Sequence, residues 1–395
     1  MPGHMEPNMH DSRSGLTFHP FEIAVCGFSN TGKTTLISRL TALLKERYAI
    51  GYLKHGCHRF DIDHEGKDSA VIRKAGASAV MISDPHQHAL IADGPPDPLK
   101  VQSALDHLDM LLVEGLKEIP LPKIILAGPD EKILDLMQQG IVSNVKAIVV
   151  VDHTMQDRYR TFGLPVFHRD NISALAAFIE GYFLSRIERH PLYGLVLAGG
   201  ISSRMKQDKA LLTYHESNQL VHTAKLLLKH CQRVFISCRH DQQKEYSSFG
   251  FPLIIDRYID IGPMAGLLSA QHHHPATPWL VAACDLPLLD HKSVGRLASG
   301  RVPWKSATAF QHESTGKTEP LCAIYEPKSR IKLLEMHARG SNSLKSFLRN
   351  APVHYLSLTD PECLQNINDP VDKAAAEQLL ATNPRNANDE TPLCH

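Results

Sequence analysis

The sequence predicts an α/β protein of two domains, each a three-layer arrangement in which a parallel sheet carries helices on its faces. Three observations support this. The 395 residues exceed what one hydrophobic core organises, so two domains of roughly 150 to 200 residues each follow. Short β-prone apolar runs alternate with stretches of helical period along the chain, the signature of parallel strands joined by crossovers. Two glycine-rich strand-to-helix turns of unrelated spacing open the two halves.

The first half begins with the strand "FEIAVCGF", the turn-rich "SNTGKTT" and the helical "LISRLTALLKERY". Further strands are expected at "SAVMIS", "LDMLLVEG", "PKIILAG" and "VKAIVVVD", each taken as part of a parallel sheet. The chain then leaves the helix "ALAAFIEGYFLSRIERHP", passes His190 and Pro191 and starts a new strand, "LYGLVLAGG". The domains are therefore expected at 19–189 and 190–380, with flexible tails at 1–18 and 381–395. The second half repeats the alternation with strands "RVFISC", "FPLIID", "PWLVAACD" and "LCAIY", and with helices "AKLLLKHC" and "IKLLEMHA". No internal repeat is seen.

Composition narrows the function. Apolar residues make up 43% and charged residues 21%, and no uninterrupted apolar window reaches about 18 residues, so neither a membrane span nor a disordered chain is indicated. Lys plus Arg equals Asp plus Glu at 42 each, which leaves no overall field to hold a nucleic acid. Eight cysteines are scattered without a C-x-x-C pair, and the first fifteen residues lack the apolar core of a signal peptide, so a cytoplasmic protein is expected. "HHH" at 272–274 ends a helix-like run and is expected as an exposed helix end rather than a metal site.

Any anionic ligand must then be gripped locally, and the first turn is built for that. Gly27-Phe28-Ser29-Asn30-Thr31-Gly32-Lys33-Thr34 matches G-x-x-x-x-G-K-[ST] between a strand and a helix. The glycines let successive N–H groups converge on a phosphate at a helix N-terminus. Lys33 would neutralise β- and γ-oxygens, and the Thr34 hydroxyl would ligate Mg²⁺, with Asn30, Thr31 and Thr35 completing the nucleotide contacts. Glu114, ending "LDMLLVEG", is the expected acidic partner of the metal or its water. Asp109, at the start of that strand, is the weaker candidate.

"GFSNTGKTTLISRL", "GYLKHGCHRFDIDHEGKDSAVIRKAGASAVMI" and "LLVEGLK" resemble the molybdopterin-guanine dinucleotide biosynthesis adaptor family, MobB, over residues 21 to 187. The resemblance implies a P-loop NTPase-like domain that binds and weakly hydrolyses GTP while assisting a guanylyltransferase. It also implies a phosphate face bearing Lys54, His55, Asp61, Asp63, Lys67, Asp68 and Arg73, and a dimer formed through this domain is expected. No N-K-x-D signature is present, so GTP preference rests on the resemblance.

The second turn, "LVLAGGISSRMKQDKALL", has no G-K-[ST]. Paired glycines admit a triphosphate, Arg204 can fork onto two phosphate oxygens, and Lys209 supplies a point charge. Asp285, ending "WLVAACD", is suited to hold Mg²⁺ between the α-phosphate and the leaving pyrophosphate. The motif L-A-G-G-x-x-x-R-M-x-x-D-K resembles the molybdenum cofactor guanylyltransferase family, MobA. "LIIDRYIDIGPMAGLLSA", "VAACDLPLL", "GKTEPLCAIY", "NSLKSFLR" and "NINDPVD" agree in order and spacing, over about residues 193 to 380.

That resemblance implies a Rossmann-like, glycosyltransferase-A-like domain with Arg204, Lys209 and Asp285 as catalytic residues. It assigns Leu197, Ala198, Gly199 and Gly200 to the nucleotide and Asp256 to its guanosine side. Asn366 and Asn368 would complete the metal shell or orient the acceptor, and Lys317, Lys345 and Arg349 would meet the acidic acceptor. Two departures stand out: Lys206 replaces a glycine after Arg-Met, and the nucleoside-contacting Asn falls near Ser237. The implied reaction transfers GMP from GTP to molybdenum-molybdopterin, with Mg²⁺ as cofactor and molybdoenzymes or their chaperones as recipients. Sugar-phosphate nucleotidyl transfer and a GTP-dependent cofactor-delivery module remain the alternatives.

Overall fold

A computed structural model describes residues 18–55, 64, 66–94, 97–128, 132–152, 154, 156–199, 208–215, 217–358, 360–367 and 370–382. Its packing divides into two compact units, Met1–Glu180 and Gly181–His395. The division falls inside the helix Ile172–Glu188, upstream of the boundary expected after residue 189. No described helix is long and apolar enough to cross a membrane.

The first unit contains β1 (Glu22–Cys26), β2 (Ile50–Lys54), β3 (Ala79–Ser83), β4 (His88–Ala92), β5 (Met110–Glu114), β6 (Lys123–Ala127), β7 (Val145–Val150) and β8 (Val166–His168). Six of these strands form one sheet in the order β2-β5-β1-β6-β7-β8, and every pairing in it is parallel. β1, β5 and β6 are buried at every position, as apolar runs covered on both faces must be. β1 sits centrally between β5 and β6, so the chain leaves it at a topological switch point, where α/β sheets bind ligands.

One strand is placed differently from expectation. "SAVMIS" forms β3, outside the parallel sheet, and pairs antiparallel with β4 as a separate ribbon. The turn 84–87 is too short for the crossover a parallel partner needs. It is tied instead by Asp84 Oδ1, which accepts from the amides of His86 and Gln87 and is thereby held below the usual carboxylate range.

The second unit contains β9 (Tyr193–Leu197), β10 (Arg233–Cys238), β11 (Leu253–Ile255), β12 (Trp279–Ala283), β13 (Ala307–Gln311), β14 (Thr318–Tyr325) and β15 (Val353–Ser357), ordered β11-β10-β9-β12-β14-β13-β15. β9 to β12 are parallel, but β14 runs antiparallel to both β12 and β13, so the sheet is mixed rather than wholly parallel. The short loop between β13 and β14, with Gly316 at φ 65°, makes them a hairpin. β15, which half-buried His354, Tyr355 and Ser357 disguise in the sequence, pairs parallel with β13.

β9 and β12 alternate between two cores. Val196, Leu280 and Ala282 pack on one face of the sheet, and Leu195, Trp279 and Val281 on the other. The register aligns Leu197 with Ser237 on one side and Ala283 on the other, so the ends of three neighbouring strands open on one crevice.

Candidate functional site

In the first unit the chain leaves β1 at Gly27, where a Cβ would meet the Leu126 carbonyl at 2.7 Å. Asn30 (φ 62°) and Gly32 (φ 94°, the residue capping the helix Lys33–Leu44) are left-handed, which curls the loop over the helix N-terminus. Lys33 Nζ donates to the Phe28 carbonyl at 2.7 Å, and Thr31 Oγ1 donates to the same oxygen at 2.9 Å. Burial, partly offset by Glu114, draws the Lys33 ammonium below its ordinary range.

Glu114 faces this loop from the end of β5. Its Oε2 accepts from Thr34 Oγ1 at 2.9 Å and from Tyr52 OH at 2.7 Å, and Lys54 Nζ lies 3.5 Å from Oε1. Burial alone would raise this carboxyl, but the bonds from Tyr52 and Thr34 and the Lys54 charge outweigh it, so it titrates below its usual range. Gly115, at φ +102°, lets the chain pass His55, because a Cβ there would stand 2.5 Å from the His55 carbonyl.

The result is a cavity of about 830 Å³ lined by Gly27, Asn30, Gly32, Lys33, Thr34, Thr35, Lys54, His55 and Glu114. Thr31 is not among its lining residues. Arg73 pairs with Asp93 on the surface, and it, Lys67 and Asp68 do not line the cavity; Asp61 and Asp63 lie outside the described residues. Asp109 is structural, since its Oδ2 accepts from the Ala49 amide. Sequence reasoning missed Tyr52, and also Lys117, whose ammonium lies 4.5 Å over the Phe28 ring at the cavity wall. An aromatic one strand away from an acid carries no local signal.

The second unit has a cavity of about 710 Å³ at the ends of β9, β10 and β12. Leu197, Ala198, Gly199, Lys209, Asp256 and Asp285 line it, together with Ser237 and Arg239. Gly200, Arg204, Lys206 and Asn368 lie outside the described residues. Gly199 has no room for a side chain, because a Cβ would approach Asp256 Oδ2 to 2.8 Å. Arg239 Nη1 donates to the Gly199 carbonyl at 2.7 Å while its Nε and Nη2 engage both oxygens of Asp241 at 3.0 Å. A cation thus fixes the start of the glycine turn, and sequence reasoning missed it.

Ser237 Oγ donates to Asp256 Oδ1 at 2.6 Å, which gives the departure at 237 a local role. Burial nevertheless pushes the Asp256 carboxyl up to about 6, against the opposing effects of Ser237 and Arg239. Asp208, beside Lys209, is held by Tyr246 OH at 2.7 Å and Gln242 Nε2 at 2.9 Å.

At the end of β12, burial raises the Asp285 carboxyl, with Lys209 opposing. Asp285 Oδ1 and Asn366 Oδ1 are buried without a hydrogen-bond partner among the described residues. Ile367 brings the two segments together, its amide donating to the Asp285 carbonyl at 2.9 Å and its own carbonyl accepting from Lys209 Nζ at 2.9 Å. Asn366 does not itself line the cavity; Asp285 does, with Lys209, and a carboxylate oxygen without a partner among the described residues fits a hard divalent cation that takes its remaining ligands from water and phosphate.

Of the cations expected to meet the acceptor, Lys317 is exposed, pairs with Glu319 at 3.2 Å and does not line this cavity, nor do exposed Lys345 and Arg349. His272 and His273 stand exposed at the end of the helix Pro263–His273.

Residues 22–151 match the family described as molybdopterin guanine dinucleotide synthesis protein B, and residues 194–356 match the MobA-like NTP transferase domain. A molybdenum cofactor biosynthesis bifunctional protein of Synechocystis sp. is 32% identical over 194 residues, which are 47% of this chain and 54%, about half, of that protein's length. A probable molybdenum cofactor guanylyltransferase of Nostoc sp. is 31% identical over 188 residues, 47% of this chain and 90% of the relative. A molybdopterin-guanine dinucleotide biosynthesis adapter protein of Escherichia coli is 37% identical over 145 residues, 33% of this chain and 82% of the relative.

Proposed function

The chain belongs to the MobB family through its first half and to the MobA-like NTP transferase family through its second, and we propose that it transfers GMP from GTP to molybdenum-molybdopterin. In that reading residues 190–380 carry the transfer and residues 19–189 are a GTP-binding adaptor. The observation that carries it is the cavity at the strand ends, where Ala198, Gly199, Lys209, Asp256 and Asp285 line one space and Asp285 Oδ1 has no hydrogen-bond partner among the described residues.

A terminal phosphate oxygen of the acceptor attacks the α-phosphorus of GTP, the α–β bridge breaks, and pyrophosphate leaves. Attack of one anion on another makes charge neutralisation and in-line placement the protein's main task. Lys209 neutralises charge growing on the departing pyrophosphate, with Arg204 assigned to the same task. The amides of the glycine turn hold the triphosphate, and Asp256, tied to Ser237, faces the guanosine side. Asp285, aided by Asn366 and Asn368, would hold Mg²⁺, which when bound draws negative charge from the phosphates. In the adaptor, Lys33 and Thr34 would take the phosphates and their metal, with Glu114 behind them.

The test is incubation of the full chain with molybdopterin loaded with molybdenum and with GTP or CTP, followed by identification of the dinucleotide by mass. The guanine dinucleotide and one pyrophosphate per product are expected with GTP. Equal turnover with CTP would remove the guanine assignment, and turnover of a sugar 1-phosphate but not the pterin would replace the acceptor.

A further inference from the structure

Three consecutive carbonyls at and after Asp285 are held from two segments, one by the Ile367 amide and two by side chains of the stretch after Lys209. The Asp285 carbonyl accepts from the Ile367 amide at 2.9 Å, that of Leu286 from Gln219 Nε2 at 3.3 Å, and that of Pro287 from the His215 ring at 3.0 Å. A carbonyl can only accept, so His215 is the Nε2–H tautomer. His215 and Gln219 belong to the stretch that follows Lys209, which lines the same cavity as Asp285.

The local structure fixes both donors. Asn218 Oδ1 accepts from the Val221 amide and so sets where the helix Gln219–Leu228 begins and which way Gln219 projects. Gln219 is fully buried, and its Nε2 is also 3.2 Å from Thr223 Oγ1, whose hydroxyl donates back to the Gln219 carbonyl. The His215 ring lies on that of His222 with centroids 3.6 Å apart and planes 13° from parallel, which restrains it from turning away from Pro287.

We propose that His215 and Gln219 are positioning residues that couple the Lys209 segment to the 285–287 turn and so aim the Asp285 carboxylate into the transferase cavity. Burying an imidazole and an amide is costly unless their bonds are made, and here the N–H donors of both are spent on the turn that carries the acid even though Gln219 Oε1 stays buried without a partner among the described residues. An ammonium and a carboxylate that must act on one triphosphate are thereby kept in register by a bracket contacting neither. The inference rests on the assignment of Asp285 to a metal-nucleotide complex.

The experiment titrates the full chain with Mn²⁺ in the presence of GTP, counting bound metal by electron paramagnetic resonance, beside steady-state pyrophosphate release. Asp285→Ala defines what loss of the site looks like. His215→Ala and Gln219→Ala should each weaken the Asp285-dependent Mn²⁺ site several-fold and lower kcat about tenfold, with KM for GTP within about twofold. His215→Gln, which keeps an N–H within reach of the Pro287 carbonyl, should recover most of both losses, whereas a packing role would not distinguish Gln from Ala. If Asp285→Ala removes a Mn²⁺ site and His215→Ala leaves its affinity and kcat within twofold, the inference is overturned alone. Failure of Gln to improve on Ala overturns it too. If Asp285→Ala removes no site, the metal assignment falls first and the inference with it.

Discussion

The Lys209 ammonium donates to the Ile367 carbonyl at 2.9 Å, across a separation of 158 residues, and the Ile367 amide then donates to the Asp285 carbonyl. The peptide at Ile367 therefore sits between the cation and the acid to which the proposed transfer is assigned. The acid is raised by burial and has an oxygen without a hydrogen-bond partner among the described residues, an arrangement that costs stability and that the proposed metal role would explain.

Replacing Asp285 with Asn should therefore separate function from stability. The amide keeps the shape and removes a buried charge, so the melting temperature should stay level or rise by a few degrees, while pyrophosphate release should fall at least about 100-fold through loss of several kcal/mol of charge stabilisation. A variant that loses activity only in proportion to its melting temperature would contradict this.

Lys33→Ala tests the division of labour. The ammonium seated on the Phe28 carbonyl is the charge assigned to the β- and γ-phosphates in the proposed adaptor role, and its loss should weaken GTP binding to that loop at least about tenfold. Product formation by the second unit should stay within about threefold when measured with excess GTP. A parallel collapse of both would make the adaptor obligatory.

Gly266→Ala should be costly although it adds one methyl. That methyl would stand 2.2 Å from Ser237 Oγ and 2.7 Å from Leu197 Cδ2. Making room should cost about 1 to 3 kcal/mol and disturb the Ser237–Asp256 bond, raising KM for GTP several-fold. Urea unfolding and GTP kinetics on the same preparation decide it, and an unchanged KM would detach Ser237 from nucleotide binding.

His222 makes a pH prediction. Burial, with His215, Lys225 and Lys229 adding to it, pushes its ring down to about 3, so the folded protein holds it neutral while the unfolded chain protonates it near its ordinary 6.5. Between those values the unfolded state binds more protons, so this group makes stability rise with pH by up to about 1.4 kcal/mol per unit. Asp256, raised to about 6 from 3.8, works in the opposite direction from about pH 4 to 6, because there the folded state keeps a proton the unfolded chain has lost. His222→Phe, which keeps a ring against His215, should remove the first contribution. Its loss of stability from pH 6.5 to 5 should be smaller than the parent's by up to about 2 kcal/mol, as read from urea unfolding at each pH. Equal losses would show that His222 is not held neutral.

Much of the fold can be read along the chain. β1, β5, β6, β9 and β12 are continuous apolar runs because both faces of each are covered, and this shows in composition alone. The ribbon β3–β4 and the hairpin β13–β14 were harder, since whether a β-prone run enters a parallel sheet depends on the length and turn chemistry of its connection. β15 escaped because its half-buried residues lack a clean apolar pattern.

The site divides in the same way. Sequence by itself pointed to the two glycine-rich turns, Gly27 to Thr35 and Leu197 to Gly200, and to the acids Glu114 and Asp285, since each is a strand end whose chemistry lies in adjacent residues, and the structure sets both acids at cavities beside those turns. Only the tertiary structure decided that Tyr52 meets Glu114, that Arg239 fixes Gly199, that His215 and Gln219 hold the turn after Asp285, and that exposed Lys317 pairs with Glu319. Those relationships join residues brought together by strand order and register, and the free energy that selects an order belongs to the packed sheet and to no single segment of it.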